Sequence, residues 1–81
     1  MAKKSPLHSG NPALVKLGKA IRDTRKAQGL SQEALAEKAE IDRSYMGGIE
    51  RGEHNLAFLS LLKIADALEI KASYLLEQAG Y

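Results

Sequence analysis

An all-α fold of five short helices is what this sequence predicts, and three observations carry that reading. Apolar residues recur at helical spacing from Leu14 to Leu75, no segment alternates as a strand would, and glycines or capping side chains punctuate the pattern at short intervals. With 81 residues, the chain has room for one small domain. A composition that is 44% hydrophobic and 27% charged suits an ordinary soluble globular protein with its own core.

Residues 1–11 have no periodicity and mix Pro, Ser, Gly and Asn with two lysines. They read as a flexible basic tail ahead of a domain spanning 12–81. Pro12 suits the first position of a helix, with Asn11 as its N-cap. Leu14, Leu17, Ile21 and Thr24 form the inner face of that helix, and Lys16, Lys19, Arg22 and Lys26 lie largely off it. Gly29 closes it.

Ser31 caps the second helix, whose apolar face is Leu35, Ala36 and Ala39. Position 34 is alanine where a capping box would need Glu or Gln, so the cap rests on Ser31 alone. Glu40 and Ile41 make a tight turn, and Asp42 caps a third helix with Met46 and Ile49 inward; it runs to about Arg51, where Gly52 ends it. Two helices joined by so short a turn, with apolar anchors on both sides, form a helix-turn-helix. The loop Glu53, His54, Asn55 leads to a fourth helix from about Leu56 to Leu68, with Phe58, Leu61, Ile64, Ala65 and Leu68 on its buried side. Ile70 bridges to the fifth, Ala72 to Ala79, where Leu75 is the core residue, Tyr74 packs beside it and Gly80 lies past the end.

Several function classes drop out. The chain has no cysteine, so it has neither disulfides nor thiolate metal sites, as suits a cytoplasmic protein. No stretch nears the roughly 18 apolar residues of a membrane span, and the start lacks the apolar run of a signal peptide. His8 and His54 stand apart without ligand spacing, so no metal is expected. No nucleophile–base pair, paired carboxylates or phosphate loop marks an enzyme, and no cofactor or small-molecule ligand is expected.

The net charge of +2 hides an asymmetry. Residues 1–30 hold seven Lys/Arg against one acid, giving +6, whereas residues 31–81 hold five against nine, giving −4.

From Leu17 to Leu76 the chain resembles the Xre/Cro-type helix-turn-helix family, which includes phage repressors. The resemblance rests on Leu30-Ser31-Gln32-Glu33-Ala34-Leu35-Ala36, on Ile49-Glu50-Arg51-Gly52 followed by Asn55, and on Leu61-Leu62-Lys63-Ile64-Ala65-Asp66-Ala67-Leu68. It implies a compact five-helix, lambda-repressor-like DNA-binding domain. Within the family, the stretch Asp42 to Arg51 looks most like the controller proteins of restriction–modification systems, small dimers that regulate their own operon and the endonuclease gene.

In this architecture the second helix of the motif enters the major groove and offers its N-terminal residues to base edges. The base-facing set is then Arg43, Ser44, Gly47 and Gly48, the residues not turned inward by Met46 and Ile49. Arg43 is the main reader, since a guanidinium can bond two guanine acceptors at once. The paired glycines read as a close-fit feature toward DNA, or as room for a tight helix crossing. Where the family more often carries serine or a larger polar residue, this chain has Gly47.

By the same resemblance Gln32 touches phosphate at a helix N-terminus that itself favours anions. Arg51 and Asn55 contact phosphate or brace the loop, and Tyr45 meets the DNA backbone. An acid at the base of a recognition helix needs a partner, and the resemblance to phage repressors supplies Arg25 for Glu50. Leu59, Leu62 and Leu76 fall off the core faces and suggest a homodimer patch. The implied partner is double-stranded DNA bearing a palindromic operator, with regulation following protein concentration. An antitoxin-type interaction module and a stand-alone phage-type repressor are the alternatives. Phosphate attraction is expected from a few placed residues and some first-helix lysines, with the acids on the far, dimer-bearing side and tail residues Lys3 and Lys4 adding a contact or two.

Overall fold

The computed structural model describes Lys4 and residues 6–81. Met1, Ala2, Lys3 and Ser5 lie outside the described residues, and with them the tail contact expected of Lys3. Five α-helices follow in order: α1 Pro12–Ala27, α2 Gln32–Ala39, α3 Arg43–Glu50, α4 Phe58–Ala67 and α5 Ala72–Gln78.

Side-chain caps start the first three helices. Asn11 accepts the Ala13 N–H at 2.9 Å, Ser31 accepts that of Ala34 at 2.9 Å, and Asp42 accepts those of Ser44 and Tyr45. The last two begin at Ala57 and Lys71 without a side-chain cap.

All five helices end in the same way, with a left-handed residue that lets two N–H groups turn back onto the last carbonyls. At the end of α1, Gly29 (φ 72°) bonds Lys26 at 2.9 Å and Leu30 bonds Arg25 at 3.1 Å. Gly52 and Gly80 do the same for α3 and α5, but Glu40 and Glu69, both at φ 56°, occupy the equivalent places after α2 and α4. A side chain in that conformation costs about 1–2 kcal/mol, and glycine's extra chain entropy costs about 0.5–1 kcal/mol, so the conformational term wins narrowly. Glu69→Gly is therefore expected to raise the thermal midpoint by a few degrees, about 2–5 °C. A fall in a melting scan would show that the glutamate makes a compensating contact.

The core draws on every helix. The largest fully buried side chains are Ile21, Leu35, Met46, Ile64, Leu68 and Leu75. Helix α1 packs on α3 and α5, α2 packs on α3 and α4, and α4 packs on α5. Gly18 sets the α1–α3 crossing, because a Cβ there would lie 2.6 Å from the Glu50 carbonyl oxygen. Before α1, residues 6–10 form turns, and the Gly10 N–H bonds the Gly52 carbonyl at 2.9 Å. That bond pins the polar leading segment to the end of α3.

Two packing expectations are corrected. Phe58 does not join the core: α4 starts at Phe58 rather than Leu56, and the ring is 69% exposed. Leu56, in the loop just upstream, makes the apolar contact in its place. Tyr74 is 44% exposed, facing a groove between α1 and α5.

Candidate nucleic-acid interface

Helix α3 is held between α1 and α2, with its N-terminal tip outward. Arg43 is exposed there as the first residue of the helix, directly after the cap. Behind it the Asp42 carboxylate accepts the Ser44 N–H at 3.0 Å and that of Tyr45 at 3.2 Å, and the Ser44 hydroxyl donates to it as well. The Ser44 hydroxyl, with the Tyr45 N–H next, holds the Asp42 carboxyl below its ordinary value. A depressed acid stabilises the fold above the ordinary carboxylate range, near pH 4, and that contribution disappears as pH falls through the folded value. Asp42→Asn keeps an acceptor at the cap, so it is expected to make the acid limb of a stability–pH curve shallower. An unchanged acid limb would contradict this.

The base of α3 is fixed by a buried ion pair. Arg25 on α1 donates through Nε to Glu50 Oε2 at 2.7 Å and through a terminal nitrogen to Oε1 at 3.1 Å. Its other terminal nitrogen donates to the Leu30 carbonyl at 2.8 Å. The Gln32 side chain donates to Glu50 Oε1 at 3.1 Å, which joins α1, the α2 N-terminus and the end of α3 in one network. Among the described residues no buried side-chain nitrogen or oxygen lacks a partner. The charge of Glu50 is thus turned into the scaffold and away from the outer face of α3.

Arg43, Ser44, Gly47, Gln32, Arg51, Glu53 and Lys4 line one cleft between α2 and α3. Gly47 lies on its floor, where a Cβ would stand 3.1 Å from both the Arg51 guanidinium and the Gln32 amide. Arg51 is exposed and forks onto Glu53 at 2.9 and 3.2 Å. Asn55 is exposed in the following loop.

Other expected site residues are placed differently. Gly48 faces inward, not toward a base: a Cβ there would lie 2.6 Å from the ring of His54, which is buried. The close approach it permits is that of the imidazole. Tyr45 is half-buried against the core, its ring 4.6 Å from that of His54, rather than lying free along the outer face. The first-helix lysines Lys16 and Lys19 line the groove against α5, whereas Arg22 shares a cleft with Gln32, Glu50 and Arg51. Arg22 lies one turn from Arg25 on α1, and helical spacing alone does not tell its side of the helix from that of the lysines. Nor are the acids all remote, since Asp42 caps the tip of α3 and Glu53 sits beside Arg51. On α4 and α5, Leu59 is 70% exposed, Leu62 36% and Leu76 37%. No helix among the described residues is long and apolar enough to cross a membrane.

A short-turned helix pair, its second helix braced by an internal ion pair and tipped with an exposed arginine, defines a class. The helix-turn-helix family pattern matches residues 21–75, and the chain belongs to that family of DNA-binding transcription regulators. Control protein C.SmaI of Serratia marcescens is 38% identical over 64 residues, covering 79% of this chain and 76% of that one. The immunity repressor protein of Bacillus phage phi105 is 42% identical over 57 residues, covering 70% of this chain and 40% of that one. Among solved structures, the restriction–modification controller protein C.AhdI from Aeromonas hydrophila superposes with a TM-score of 0.76 at 50% identity. That match covers 76% of this chain and 94% of that one.

Proposed function

We propose that this chain is a cytoplasmic controller of a restriction–modification operon that binds a palindromic operator as a homodimer and regulates its own transcription. The observation that carries the reading is the exposed Arg43 at the tip of α3, a helix whose other end is fixed by the Arg25–Glu50–Gln32 network. Likeness to two control proteins supports the operon assignment. In this reading Arg43 reads bases, Gln32 and Arg51 hold phosphates, and Leu59, Leu62 and Leu76 pair two copies. Twofold pairing sets the two Arg43 side chains about one DNA turn, roughly 34 Å, apart.

The test is footprinting on the DNA upstream of the chain's own reading frame, with sedimentation of the protein alongside. Two protected half-sites one turn apart, bound by a dimer, are expected. A monomer at tens of micromolar, or protection without twofold symmetry, would contradict the reading.

A further inference from the structure

We infer that Glu53 is an internal competitor of DNA phosphate, its carboxylate occupying Arg51 and Lys4 beside the recognition helix and so weakening non-specific attraction to DNA. This rests on the DNA-binding reading above. The geometry is specific. Gly52, at φ 75°, turns the chain at the end of α3, and the Glu53 N–H bonds the Gly48 carbonyl at 2.9 Å, so the side chain returns over Arg51. Its carboxylate takes the Arg51 guanidinium in a fork and lies 3.7 Å from Lys4 Nζ. All three line the cleft that also holds Gln32, Arg43, Ser44 and Gly47.

The two partners differ in exposure, with the Arg51 side chain 60% accessible and that of Glu53 only 14%. The acid is therefore held in place while the cation reaches solvent, where a phosphate would meet it. Arg51 must leave Glu53 or share its donors to take a phosphate. Glu53 remains charged at neutral pH, since the Arg51 guanidinium keeps its carboxyl below the usual range. Glu50 is not comparable, because its charge is consumed inside the fold by Arg25. The Glu53 carboxylate is instead spent on two cations at the cleft, Arg51 and Lys4, and its effect is to suppress sequence-independent affinity. Discrimination then depends more heavily on base contacts.

The experiment titrates a fluorescent mixed-sequence duplex with the full chain at low salt. Glu53→Gln is expected to bind about two- to five-fold more tightly, the scale of one exposed charge pair. Glu53→Ala serves as a second variant with the same expected direction. Asp66→Asn changes net charge equally on the exposed side of α4 and is expected to match wild type. In an Arg51→Ala, Lys4→Ala background the gain from Glu53→Gln should disappear. The inference is overturned if neither Glu53 variant binds more tightly, if Asp66→Asn gains as much, or if the gain survives that background. A wild-type chain that fails to bind the duplex at all would overturn the DNA reading itself, and this inference with it.

Discussion

Arg25→Ala is expected to cost the protein most of its stability rather than only its DNA affinity. The guanidinium makes three hydrogen bonds, two to Glu50 and one to the Leu30 carbonyl, with side chains only 9% and 2% accessible in the pair. Removing it strands the Glu50 carboxylate, with Gln32 its one remaining partner. Breaking a buried pair from one side typically costs about 3–5 kcal/mol. A domain of this length holds roughly 4–12 kcal/mol in total, so a variant largely unfolded at room temperature is within the expected range. Arg25→Lys should not rescue it fully, because an ammonium cannot reproduce the planar fork.

The intact pair need not be strongly stabilising, since its desolvation offsets much of its attraction. Replacing both partners with apolar residues, as in Arg25→Met with Glu50→Leu, is thus expected to be more stable than Arg25→Ala alone. Thermal unfolding of the three chains decides the matter. An Arg25→Ala variant with an unchanged melting temperature and lost DNA binding would make Arg25 a contact residue instead.

Gly18→Ala is the second large effect, and here two principles oppose each other. Helix propensity favours alanine over glycine by about 1 kcal/mol inside a helix. Against that, the new Cβ would stand 2.6 Å from the Glu50 carbonyl oxygen, with the Ile49 carbonyl equally crowded. These are backbone atoms, so no side-chain rotation relieves the clash, and α1 must move off α3. Overpacking of this kind costs about 1–3 kcal/mol, and a forced shift in the helix crossing adds strain to the Arg25–Glu50 pair. A net loss of about 1–2 kcal/mol is expected, lowering the melting temperature by roughly 4–15 °C. Gly47→Ala is the control, since only the ends of Arg51 and Gln32 oppose its Cβ. It should leave stability unchanged or slightly raised. Equal losses at both positions would show that the crossing is not what Gly18 serves.

Legibility in the sequence followed local chemistry. Asn11, Ser31 and Asp42 announce helix starts, and Gly29, Gly52 and Gly80 announce ends, because capping and left-handed turns are written in residue type. The start of α4 carried no such mark. Ala57 makes no side-chain cap, so residue type alone starts the helix two residues early and turns Phe58 inward. Glu69 is invisible in the same way, since a glutamate does not advertise a positive φ.

Contacts between distant segments were the other gap. Arg25 and Glu50 lie 25 positions apart, and no periodicity joins them; only family resemblance suggested the pair. Gly48 and His54 meet through the turn at Gly52, so a glycine assigned to the DNA face serves an internal ring. The charge split by sequence position also mixed two surfaces. Lys16 and Lys19 line the groove beside α5, Arg22 shares a cleft with Gln32 and Arg51, and Asp42 and Glu53 are acids set at the two ends of α3.

The central claim is that Arg43 reads bases while its neighbours hold the backbone. It is tested most directly by titrating wild type and Arg43→Ala on two duplexes in the same buffer, one carrying the upstream operator and one of mixed sequence. Loss of about 1–3 kcal/mol on the operator, with little change on the mixed duplex, is the predicted result. An equal loss on both duplexes would make Arg43 a phosphate contact, and no loss on either would remove α3 from the reading of DNA.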